Sequence, residues 1–112
     1  MSAALPELFQ TEWCPASRRV RQRLTELGVD YVTRQVPVER ELRGALELAT
    51  GHDTIPALVV AGSALVGEDD ILAYLDRRYA EPGEAEAHRA KAAKARRRYL
   101  EEECECSQPA TR

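Results

Sequence analysis

The chain has 112 residues, 44% of them hydrophobic and 31% charged, with a formal net charge of -3 at pH 7. That composition fits one small globular domain and gives no global attraction to nucleic acid or to an anionic membrane. No stretch approaches the roughly 18 consecutive apolar residues of a membrane span.

The opening "MSAALPELFQ" has neither a basic start nor a long apolar run, so no leader is expected. Three cysteines, an odd number, fit a reducing compartment better than a disulfide framework, and the expected location is the cytoplasm.

"ALPELFQ" alternates as a strand does, with Pro6 near its start. "CPASRRVRQRLTELG" reads as a helix: Pro15 suits the first turn, Ala16, Val20, Leu24 and Leu27 form an apolar stripe, and Gly28 suits a left-handed stop. "VDYVTRQV" is β-branched and aromatic, a second strand ended by Pro37. "VERELRGALELATG" predicts a second helix with Val38, Leu42, Ala45, Leu46 and Ala49 on one face. After the loop "HDTIP", "ALVV" and "SALV" predict a tight hairpin, although Ala61 is a poor turn residue beside Gly62. "GEDDILAYLDRRY" is a third helix, with carboxylates in its first turn and Ile71, Leu72, Leu75 and Tyr79 facing inward.

The order β-α-β-α-β-β-α predicts an α/β domain with a four-stranded mixed sheet over residues 1–82. A charged, alanine-rich helix is expected at 83–103, docking weakly or projecting because alanine buries little, and a flexible tail at 104–112.

Chemistry concentrates in "TEWCPAS", residues 11–17. A sulfur placed just before a helix faces unpaired backbone N–H groups and the positive end of the helix dipole. Amides of Ala16 and Ser17, with Arg18 and Arg19 nearby, favour a Cys14 thiolate; an isolated cysteine is more commonly buried and inert.

The strand, the C-P-x-S helix start, the Thr-Ile-Pro loop before a hairpin and the Gly-Glu-Asp-Asp helix start together resemble the glutaredoxin branch of the thioredoxin superfamily. They equally resemble the N-terminal thioredoxin-like domain of glutathione S-transferases. The resemblance runs from about Leu5 to Tyr79 and implies a thioredoxin-like fold. It implies that Cys14 is the nucleophile, with Pro15 and Ser17 completing its catalytic turn. Thr54 and Ile55 precede Pro56, for which it implies a cis peptide bond, and this loop would pair with the cysteinyl part of glutathione. Gly67, Glu68 and Asp69 would grip the γ-glutamyl end; plain helix capping is the alternative for those carboxylates. Trp13 either walls the ligand groove or is a partly buried aromatic.

Where dithiol glutaredoxins have a second cysteine, this chain has Ser17, which implies a monothiol route with glutathione, or an equivalent low-molecular-weight thiol, as cosubstrate. The implied substrates are glutathionylated proteins or small mixed disulfides, handled by a monomer or a weak dimer, with no metal, nucleic acid or membrane. Thr11 stands where many glutaredoxins carry a lysine; Arg40 and Arg43 are candidate substitutes or solvated helix charges. The alternatives are a stand-alone relative of the transferase domain that binds glutathione, and a non-enzymatic binding module or iron–sulfur carrier. The basic run "HRAKAAKARRR" reads as a solvated or self-pairing helix face, His52 and His88 as surface histidines, and Cys104 and Cys106 as an idle tail pair, with resolution of Cys14 or soft-metal binding with a partner chain as the alternatives.

Overall fold

The computed structural model describes residues 4–107. Four short strands, β1 (Glu7–Gln10), β2 (Val32–Gln35), β3 (Ala57–Val60) and β4 (Ser63–Val66), form one sheet in the order β2-β1-β3-β4. β1 and β2 are parallel, while β3 runs antiparallel to both β1 and β4. Helices α1 (Pro15–Leu27), α2 (Gly44–Thr50), α3 (Glu68–Arg78) and α4 (Ala85–Ser107) complete the chain. This is a thioredoxin-like α/β fold with an added C-terminal helix.

Alternation along the two central strands builds a core on each face of the sheet. Leu8 and Leu58 point to one side, where they pack with Val20, Leu24 and Leu27 of α1 and Ile71 and Leu75 of α3. Phe9 and Ala57 point to the other, where they meet Val36 and Leu46 of α2. The α1 stripe expected from periodicity is therefore the face that is buried, and Gly28 stops the helix at φ 70°. Truncating Leu24 or Leu58 to alanine at such sites costs about 2–5 kcal/mol.

The second helix departs from expectation. The segment begins as a 3₁₀ turn at Arg40–Leu42, breaks at Arg43, and resumes as α2 only at Gly44. Of the five residues expected on one apolar face only Leu46 is buried, and Val38 and Leu42 lie in solvent. The cause is Arg43, only 6% exposed, whose guanidinium donates to the carbonyls of Pro37, Val38 and Asp53 at 2.9–3.0 Å. Three backbone acceptors hold it in the loop, so the helical phase restarts after it. Arg43 is a clamp, not a solvated helix charge.

The last helix also docks more firmly than its alanine content suggests. Glu26, buried on α1, accepts from Arg23 at 2.8 Å and from Arg89 of α4 at 3.0 Å. Glu81, ahead of α4, bridges the same two arginines. Arg96 donates to the side-chain carbonyl of Gln22 at 2.8 Å. Polar pairing along α1 replaces the apolar burial that alanine cannot supply. The helix runs four residues past the expected end at Glu103, since no proline interrupts it before Pro109. The remainder of the expected tail, and the side chains of Cys104 and Cys106, lie outside the described residues.

Candidate active site

Cys14 is the N-cap of α1, with extended backbone (φ -80°, ψ 119°), and its sulfur accepts from the Ser17 amide at 3.4 Å. Pro15 occupies the first helical position, where its missing N–H leaves no donor unpaired. The amides that face the sulfur are therefore those of the second and third helical residues, Ala16 and Ser17.

Partial burial alone raises the thiol pKa. Hydrogen bonds from the Ser17 hydroxyl and from the Ser17 and Ala16 amides, together with the charge of Arg19, outweigh it and hold the thiol below its ordinary range. Ser17 is fully buried, and its oxygen also accepts from the Thr11 amide at 3.4 Å, which fixes the hydroxyl between loop and sulfur.

The Ile55–Pro56 peptide bond is cis, in the loop that enters β3. Among the described residues the backbone N–H and C=O of Ile55 have no hydrogen-bond partner. The Pro56 carbonyl accepts from the Gly67 amide at 2.9 Å, which ties this loop to the turn before α3. Gly67 has φ 95° and ψ 151°, a conformation that only glycine adopts without strain. Val66, Gly67 and the first-turn carboxylates of α3 line a cavity of about 290 Å³. The structure thus brings Thr54–Pro56 and Gly67–Asp69 together.

Two placements were not legible in the sequence. Glu68 is held by Arg19 of α1, which donates to both carboxylate oxygens, the Nη2–Oε1 contact being 2.9 Å. Arg19 depresses the Glu68 pKa, and the same guanidinium contributes to stabilising the Cys14 thiolate. Trp13 is 60% exposed beside the sulfur and is not the partly buried aromatic that its size favours.

Thr11 is 3% exposed, and its hydroxyl has no partner among the described residues. Arg21 donates to the Thr11 carbonyl at 3.2 Å and to the Gln10 side chain. Arg40 pairs with Asp53 at 2.8 Å and lowers that carboxyl's pKa, just before the Thr54–Pro56 loop. No group of three histidine, cysteine or acidic side chains that could hold a metal occurs among the described residues.

Comparison with known proteins agrees with this geometry. The chain is 35% identical over 69 residues to Glutaredoxin-C4, chloroplastic, from Oryza sativa subsp. japonica, a match that covers 59% of this chain and 52% of the rice protein. It is 32% identical over 64 residues to a glutaredoxin of Pseudomonas aeruginosa, covering 57% of this chain and 76% of the relative. The solved structure of a glutathione S-transferase from Sinorhizobium meliloti superposes with a TM-score of 0.60 at 31% identity, over 66% of this chain and 32% of that one. The chain thus spans about half the length of the rice relative and about a third of the transferase. A family model described as the glutathione S-transferase N-terminal domain matches residues 8–83, from β1 through the end of α3. The chain belongs to that family, a thioredoxin-like domain with glutaredoxins among its relatives.

Proposed function

We propose that this protein is a monothiol thiol–disulfide oxidoreductase that uses glutathione, or a similar low-molecular-weight thiol, to reduce mixed disulfides. One observation carries the reading: a sulfur held by helix-start amides at one end of α1, with its pKa lowered and the buried Ser17 hydroxyl beside it. The cis-Pro56 loop and the Gly67 turn, joined to each other, supply the features of a ligand groove.

In the proposed cycle the Cys14 thiolate attacks the glutathione sulfur of a mixed disulfide. A Cys14–glutathione disulfide forms, the substrate's sulfur–sulfur bond breaks, and the substrate leaves as a thiolate that takes a proton from water. Ser17 has no sulfur with which to displace the bound glutathione. A second glutathione thiolate therefore attacks it, regenerating Cys14 and releasing glutathione disulfide. The unpaired backbone of Ile55 receives the cysteinyl portion of glutathione as an added strand, with Thr54 and Pro56 setting the loop. Gly67 opens the turn for the γ-glutamyl end, whose ammonium group meets Glu68 and whose carboxylate meets the α3 start at Asp69. Trp13 walls the groove. The substrates are glutathionylated proteins and small mixed disulfides in a reducing cytoplasm.

The test is glutathione-dependent reduction of a small mixed disulfide by the wild type and by Cys14→Ser. Turnover in the wild type that falls to background in the mutant is expected; equal rates overturn the reading. A second reading, conjugation of glutathione to an electrophile, is favoured by the family match over residues 8–83. It predicts conjugation of an aromatic electrophile that survives Cys14→Ser.

A further inference from the structure

Four arginines on α1 and six lysines or arginines on residues 85–98 of α4 make ten of the chain's sixteen cationic side chains. The same two segments hold only Glu26 and Glu86 of its nineteen carboxylates. In a chain of net charge -3 this is a strong local asymmetry, and packing α4 against α1 joins both segments into one surface.

That surface leads away from the reactive sulfur. Cys14, Arg18 and Gln22 are spaced four residues apart and form one inclined row on α1, along which side chains lean back toward the helix start. Arg96 joins the row from α4 through its hydrogen bond to Gln22. Arg18 and Arg96 border two adjoining cavities of about 410 and 420 Å³ between the helices. Leu72 lies in one, and Tyr31 and Ala92 in the other, so each has an apolar element beside the charges. The other arginines lining these cavities are engaged, Arg19 by Glu68, Arg21 by Glu12, and Arg23 by Glu26, Asp76 and Glu81, and Arg89 of α4 is held by Glu26, Glu81 and Glu86. Neither Arg18 nor Arg96 forms an ion pair among the described residues.

We infer that the α1–α4 surface docks an acidic polypeptide segment, so that the preferred substrates are glutathionylated cysteines flanked by aspartate or glutamate. The inference rests on the mixed-disulfide reading of Cys14. When the thiolate takes the glutathione sulfur, the departing thiolate belongs to the peptide. Arg18 and Arg96 then hold the carboxylates that flank it. Charge matching of this kind acts mainly on encounter, so it should raise kcat/KM and weaken with salt.

The test compares two octapeptides, each disulfide-linked to glutathione at a central cysteine, one flanked by glutamates and one by lysines. The first turnover with Cys14 needs no second glutathione, so failure of the catalytic cycle leaves the comparison readable. At low salt the acidic peptide should react about tenfold faster than the basic one, the ratio falling toward one at about 0.5 M salt. Arg96→Glu should abolish the preference while leaving the reaction with neutral dithiodipyridine unchanged, and Arg18→Glu should invert it. Fluorescence anisotropy of a labelled acidic peptide on Cys14→Ser reads the surface with no chemistry at all, and retained helix content by circular dichroism shows that the variants fold. Equal rates for both peptides, or a preference that survives both charge reversals, overturn the inference. Binding of a DNA oligonucleotide without any peptide preference does so as well.

Discussion

Arg19 and Glu68 are joined by two hydrogen bonds between side chains 49 residues apart in sequence, linking the second turn of α1 to the first turn of α3. The pair lies at the Cys14 end of α1, where Arg19 acts on the sulfur and Glu68 acts on Arg19. The guanidinium favours the thiolate, and the carboxylate partly neutralises the guanidinium. Arg19→Gln should therefore raise the thiol pKa and Glu68→Gln should lower it. The pH dependence of alkylation by iodoacetamide reads both midpoints; shifts in the same direction would exclude the coupling.

Ser17 has two partners that its hydroxyl cannot abandon without cost. It accepts from the buried Thr11 amide and is the largest of the influences that lower the Cys14 pKa. Ser17→Ala should raise the thiol pKa, slowing alkylation at neutral pH. It should also destabilise the fold by about 1–3 kcal/mol, because a buried N–H loses its acceptor. Urea unfolding of the alkylated proteins separates the second effect from the first.

The neighbouring hydroxyl is the reverse case. Thr11 Oγ1 is buried with no partner among the described residues, so it carries a desolvation penalty with no hydrogen bond to offset it. Thr11→Val keeps the shape and should stabilise the domain by about 1 kcal/mol with the alkylation rate of Cys14 unchanged. A destabilised valine variant would mean that this hydroxyl does find a partner in solution.

The β3–β4 hairpin turns on Ala61 and Gly62, at φ 50° and 84°. Both central residues are left-handed, as a tight hairpin that matches the sheet twist requires, and alanine pays about 1 kcal/mol there. Ala61→Asn should recover about 0.5–1 kcal/mol, measured as a higher urea midpoint at unchanged slope.

What could be read from the chain follows from how local each signal is. Cys14 at a helix start, the left-handed Gly28 and the strained Ala61 each depend on a few adjacent residues, and the structure places all three as the sequence implied. The failures are long-range. Nothing near Val38 announces that Arg43 will fold onto carbonyls from both Pro37 and Asp53, so the apolar spacing there suggested a longer helix than forms. The Arg19–Glu68 pair and the anchoring of Arg89 at Glu26 join residues 49 and 63 apart. Charged residues at helical spacing look alike whether they face water or another helix; only the packed fold distinguishes them.

The anchoring of α4 makes its attachment dependent on acid. Arg89 and Arg23 hold the Glu81 carboxyl down to about 2, from an ordinary value near 4.5. Burial opposes ionisation of Glu26, but hydrogen bonds from Gln22 and Arg23 and the charge of Arg89 leave its pKa lowered too. A carboxyl with a depressed native pKa contributes stability that is present above the unfolded pKa and is lost as pH falls through the native value. Docking of α4 should thus hold above about pH 4.5 and loosen progressively toward about pH 2. Hydrogen exchange read by mass spectrometry should show α4 losing protection in that interval before β1 and β3, which are held by the buried apolar side chains of Leu8, Phe9, Ala57 and Leu58. Glu81→Gln should show the loosened state at neutral pH, and a variant whose α4 stays as protected as the wild type would place the anchor elsewhere.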